Sequence, residues 1–223
     1  MEMTHQALCS LAVKWLQRSN SNNGHGCCFA VSEVKSGWNG EVPDAIGFRR
    51  KGYGGDGTVV VEVKVSRADF LADAKKPHRL DGGLGNWRYF MCPESMISPD
   101  ELPEGWGLLW VNSRGHIKPK AGPSFTMATS KNWLKREESL QAFRHDSNHK
   151  RELFILVKML TRIGDPEALN NKLKEVYRER GRIADQFNKQ LKEMQRLKQD
   201  LSALRFKADR QSNRSDAEEG HYQ

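Results

Sequence analysis

Apolar residues recur at three-and-four spacing from His5 to Arg18, where Leu8, Leu11, Ala12, Trp15 and Leu16 share one face, so this segment is predicted to be an amphipathic helix. The polar run SNSNNGHG closes it. Alternating and β-branched runs then predict strands over Cys27–Lys35, Val42–Arg50 and Thr58–Val65. Asn39-Gly40 marks the first turn and the glycine-rich KGYGGDG the second. Four glycines in that run could suggest a phosphate-cradling loop, but such a loop needs a helix behind it. Here a β-branched strand follows, so a tight hairpin is the better reading.

A helix is expected after Ser66, which can cap it, with Asp69 three residues on; RADFLADAKK then stops at Pro77. Beyond the loop DGGLGN, strands are expected over Trp87–Cys92 and Gly107–Asn112, with a short sixth over His116–Lys118. Helix, three strands, helix and further strands predict an α/β sandwich around a mixed sheet.

From Lys131 the pattern turns helical. Leu153, Phe154, Val157, Met159 and Leu160 mark a first segment, which Gly164-Asp165-Pro166 interrupts. A heptad pattern follows, with Leu173, Arg180, Phe187, Met194 and Leu201 in one seam series. Leu169, Val176, Ile183, Gln190, Leu197 and Leu204 form the other, and only Arg180 and Gln190 are polar. This predicts a coiled coil, most simply a homodimer through residues 169–204, against the plainer alternative of a long helix folding back on the domain. The expected organisation is a domain over 1–130, a helical connector over 131–164, a basic coiled coil over 165–210 and a disordered tail over 211–223.

Only 37% of residues are hydrophobic, which fits a normal core in one part and a solvated element elsewhere. The net charge of +8 is uneven: residues 1–130 hold 15 basic against 13 acidic side chains, and residues 131–223 hold 21 against 15. A basic balance favours a polyanionic partner without identifying one. Cys9, Cys27, Cys28 and Cys92 form no CxxC pair, which suits reduced thiols in a cytoplasmic protein. Neither a signal peptide nor a membrane-length apolar run is seen in the sequence.

Residues two apart share a face of a strand, so Glu62 and Lys64 lie together on one side of Thr58–Val65, with Val59, Val61, Val63 and Val65 on the other. A structural ion pair would explain two charges on a buried strand. The preceding strand adds a second carboxylate, because Pro43-Asp44 opens it and the hairpin lets Asp44 sit beside Glu62. Two carboxylates that close repel unless a cation bridges them, and oxygen ligands suit Mg²⁺ or Mn²⁺. Such an ion activates water and binds phosphate oxygen, while Lys64 could orient the water and offset transition-state charge.

Pro-Asp followed across a hairpin by Glu-x-Lys and a helix resembles the PD-(D/E)XK nuclease superfamily. Residues 28–112 are most similar to its branch of MmcB-like DNA-repair proteins, also common in phage and prophage genomes. The resemblance is carried by Glu33, Pro43-Asp44-Ala45, Val61-Glu62-Val63-Lys64, the extended EVKVSRADFLADAKKP and the closing Met91-Cys92-Pro93-Glu94. It implies a restriction-endonuclease-like sandwich and a Mg²⁺- or Mn²⁺-dependent DNA endonuclease. Asp44 and Glu62 would be metal ligands with the Val63 carbonyl, Lys64 the catalytic lysine, and Glu33 an additional acid. The family often carries that acid on the first helix, which here has none after Glu2.

Arg67, Lys75, Lys76 and Arg79 could contact DNA phosphate or form a solvated helix face. Asp69 and Asp73 read as capping and pairing residues, and Trp87, Tyr89, Trp106 and Trp110 as strand and core residues more than base-stacking ones. His78 and His116 have no partner at triad or metal spacing. The competing functional class is a non-cleaving nuclease fold that binds DNA or protein and acts through its coiled coil.

Overall fold

The computed structural model describes residues 3–50, 52, 55–73 and 83–219. It divides into a compact unit, Met1–Thr161, and a second unit, Arg162–Gln223.

In the first unit the chain runs α1 (His5–Gln17), β1 (Phe29–Ser32), β2 (Ala45–Arg49), β3 (Gly57–Val63), α2 (Arg67–Asp73), β4 (Trp87–Pro93), β5 (Trp106–Val111) and β6 (Ile117–Ala121). Helices α3 (Pro123–Thr129), α4 (Trp133–Ala142) and α5 (His149–Ile163) follow. The six strands form one sheet in sequence order. Pairings β1–β2, β2–β3 and β5–β6 are antiparallel, whereas β3–β4 and β4–β5 are parallel. A hairpin cannot join parallel strands, so the chain crosses over between β3 and β4, and α2 lies in that crossover. The expected mixed sheet with surrounding helices is what forms.

Both faces of the sheet are covered. On one, Leu8, Cys9, Ala12, Trp15 and Leu16 of α1 pack on Ala45, Val59, Val61 and Val63. On the other, Val60 and Ile46 meet Ile155 of α5, and Phe70 of α2 meets Phe90 and Trp106. This alternation of β3 valines between two cores is the period-two pattern read from the sequence. Helix α1 comes very close to β2 at Gly47, where an added Cβ would lie 2.7 Å from Cys27 Sγ and 3.2 Å from Leu16 Cβ. Gly47→Ala is therefore expected to cost about 2 kcal/mol by overpacking, measured by urea denaturation.

Residues 131–164, expected as a connector, prove up to Thr161 to be part of the first unit. The Leu140 carbonyl accepts from the buried Trp87 indole at 2.8 Å, and the His145 amide donates to the Asn86 carbonyl at 2.8 Å. Few buried apolar residues anchor these helices, so their periodicity alone did not betray the packing.

The second unit is dominated by α6, Pro166–Glu219. Gly164, at φ 74°, ends α5, and the Asp165 carboxylate accepts from the Glu167 and Ala168 amides to cap α6, with Pro166 in the first turn. The helix passes residue 211, where a disordered tail was expected. Extending an existing helix needs only one hydrogen bond per residue, without the cost of nucleation, so a polar sequence can follow on. No helix among the described residues is long and apolar enough to cross a membrane.

Candidate functional site

The site lies where β1, β2 and β3 end together. Ser32 pairs with Ala45, and Ala45 with Val61. One step further along these registers, Glu33, Asp44 and Glu62 stand in a row across three strands. Glu33 has φ 54°, unusual for a residue with a side chain, and the β1 ladder stops there. The expected strand to Lys35 is shortened for this reason. Its amide donates to the Pro43 carbonyl at 3.1 Å, which ties the start of the turn to its end.

Asp44 is held at both oxygens. Its Oδ2 accepts the Val63 amide at 2.7 Å, just beyond Ala45 and Val61, where the pairing of β2 with β3 ends. Its Oδ1 lies 3.2 Å from His5 Nε2 on the first turn of α1. A carboxylate only accepts, so Nε2 carries the hydrogen, and His5 Nδ1 can accept from the Cys9 thiol 3.5 Å away.

Cys9, His5 and Asp44 thus resemble a nucleophile, base and orienting acid, but the electrostatics oppose that chemistry. Burial, then the charges of Asp44, Glu33 and Glu62, push the Cys9 thiol up to about 12. A thiol held protonated is not a nucleophile. The three carboxylates that bear on Cys9 are the same three that strand register sets in a row. Donor atoms of His5, Cys9 and Asp44 lie within 4.8 Å of one another, a set geometrically able to surround one cation. Sequence reading missed His5; its spacing of four from Cys9 on the buried side of α1 was the available signal.

Glu62 on β3 and Lys64 just past its end follow, with only 5% and 3% of their surface exposed. The Lys64 amide donates to the Met91 carbonyl at 2.8 Å, extending the hold on β4 past the last strand residue. Its Nζ lies 3.7 Å from the Asp69 carboxylate and 5.9 Å from the centre of the Phe90 ring. Phe90 is itself stacked on Trp106 and edged by Phe70, so the ring under the Lys64 ammonium is held in place. Ser66 caps α2 as expected, accepting from the Asp69 amide, while the Asp69 carboxylate pairs with Lys64.

Arg67 turns away from this row. Its guanidinium grips the Glu101 carboxylate at both oxygens and donates to the Met96 carbonyl at 2.9 Å. That grip holds the Glu101 carboxyl down at about 2. Lys75, Lys76 and Arg79 lie outside the described residues. Trp87, Tyr89 and Trp106 are buried in the two cores, as expected, and Trp110 donates to the Ile97 carbonyl. An aromatic not singled out in the sequence, Trp38, is 91% exposed on the turn between β1 and β2, the turn that Glu33 and Asp44 flank.

No family model and no curated protein matches the chain. Among solved structures it is similar to a protein of unknown function from Silicibacter pomeroyi, at 21% identity and a TM-score of 0.42, over 75% of this chain and 96% of that one.

Proposed function

We propose that the chain is a Mg²⁺- or Mn²⁺-dependent DNA endonuclease of the PD-(D/E)XK type, serving DNA repair, recombination or phage DNA processing. The observation that carries this reading is the row of Glu33, Asp44 and Glu62 at one sheet end, with Lys64 next on the same face of β3. Also in its support, the hairpin, the Glu-x-Lys strand end and the following helix on which the resemblance rests are all real elements of the fold.

The donor set fits a hard divalent cation. Asp44 and Glu62 offer carboxylate oxygens and Val63 its carbonyl, and each Asp44 oxygen keeps a lone pair beyond its hydrogen bond. A cation held there supplies Lewis acidity toward water and a phosphate oxygen. The residues of the chain do the rest. His5 and the Val63 amide fix the direction of Asp44, and Asp69 and Phe90 fix that of Lys64. The Lys64 ammonium orients the attacking water and offsets negative charge growing on the phosphate as the new P–O bond forms and the old one breaks. Glu33 adds a third carboxylate to the row. Trp38 offers an exposed face for stacking a base beside it.

Phosphate contacts on this unit come from Lys75, Lys76 and Arg79 in preference to Arg67, whose guanidinium is already committed to Glu101. The apolar seam of α6, open to solvent in the single chain, supports homodimerisation through residues 169–204.

The test is cleavage of linear, flapped, branched and single-stranded DNA with Mg²⁺ and with Mn²⁺. Products that appear only with the divalent ion support the reading. Binding of DNA with no cleavage of any substrate by either ion overturns it in favour of the non-cleaving module.

A further inference from the structure

Helix α6 has a long exposed apolar stripe: Leu173, Ile183, Phe187 and Leu197 are 47%, 57%, 63% and 63% exposed among the described residues. The stripe is interrupted by Arg180 in one seam series and Gln190 in the other. We infer that its occupant is a second copy of α6 running antiparallel, in the register that sets Arg180 of each chain against Gln190 of the other. This builds on the self-association proposed above and is independent of cleavage.

The inference comes from the positions of the two polar residues. In a parallel pair each seam position faces its own copy, so Arg180 would meet Arg180 in the core, two like charges out of water. In an antiparallel pair the two series face each other. The register that joins Arg180 to Gln190 then pairs apolar with apolar along the rest of the stripe, Leu173 with Leu197 and Phe187 with Ile183 among them. Two polar interruptions become one hydrogen-bonded layer, repeated on either side of a two-fold axis near residue 185. A self-complementary patch of this kind is what a two-fold dimer requires.

The flanks agree. In this register Lys172 comes beside Asp200 of the other chain, and Tyr177 beside Leu191, which widens the apolar stripe. Glu179 comes beside Glu193, with Arg180 between them to offset the two charges. A parallel pair would instead gain Glu193 with Lys198, a solvent-exposed contact that salt screens and that does not compensate a buried pair of arginines. One consequence concerns geometry: the two Pro166 residues, where the helices begin, stand about 57 Å apart along the axis instead of side by side.

Gln190→Glu in the full chain decides the orientation. Antiparallel pairing gives each Arg180 a carboxylate partner, and sedimentation equilibrium at neutral pH should show the dimer about tenfold tighter. Parallel pairing would set the introduced carboxylate against its own copy and loosen the dimer. Disulfide trapping in a Cys28→Ser background provides a second readout. An oxidised mixture of L173C and L197C chains should link the two kinds of chain to each other, with neither linking to itself. A dimer that is unchanged or looser with Gln190→Glu, trapping of L173C with itself, or a chain that stays monomeric at every concentration overturns the inference.

Discussion

Glu62→Gln is expected to reduce metal-dependent DNA cleavage by about 10³-fold or more while the protein stays folded. The amide keeps the shape of a side chain that is 5% exposed, so the sheet end has no void to close. What changes is charge, and with it, in the proposed site, the hold on a divalent ion shared with Asp44. Lys64→Ala is expected to lose a similar factor for a different reason. In the proposed mechanism the carboxylates that hold the ion remain, but the positive charge that orients water and meets the phosphate is gone. Its ion-pair partner Asp69 has a side chain 44% exposed, so that carboxylate stays hydrated without the lysine. Cleavage kinetics with circular dichroism of each variant check both statements. Two variants that cut like the parent, contaminants excluded, would remove these residues from the mechanism.

The largest stability effect is expected at Glu152, far from the acidic row in sequence. Its carboxylate is buried at the start of α5, where it accepts from the Thr58 hydroxyl at 2.5 Å and the Gly85 amide at 3.0 Å. Ser147 donates to its other oxygen at 3.2 Å, and His149 lies 3.3 Å from it. One side chain thereby ties α5 to the entry of β3 and the chain before β4. Glu152→Ala leaves a buried hydroxyl and a buried amide without acceptors, a cost of about 3 kcal/mol. For a unit of this size that lowers Tm by about 10 °C. Glu152→Gln keeps the acceptor for Thr58 and Gly85, and its loss should be about 1 kcal/mol. Thermal denaturation separates the two. Equal, small shifts would show that α5 is held by its other contacts, Ile155 and Met159 among them.

Much of the sheet end was legible because its signals are local. Valine alternation identified β3, the hairpin brought β2 beside it, and a period of two set Glu62 and Lys64 on one face. The row became complete only through strand register, which also brought in Glu33 on β1 with its positive φ. What could not be read were contacts set by how elements pack. His5 meets Asp44 because α1 crosses the end of β2, and nothing in its own segment implies that. Arg67 looked available for phosphate because Glu101, its partner, lies 34 residues away on another loop. Residues 131–161 looked like a connector because α4 and α5 join the core through few buried side chains, while backbone and polar contacts to Asn86 and Thr58 do much of the fastening.

The central claim, that the row of carboxylates at this sheet end holds a divalent cation, is tested most directly by calorimetric titration with Mn²⁺. The parent chain should bind the ion, Asp44→Asn and Glu62→Gln should lose that binding, and Lys64→Ala should retain it. No binding by the parent chain, or equal binding by all four proteins, would contradict it.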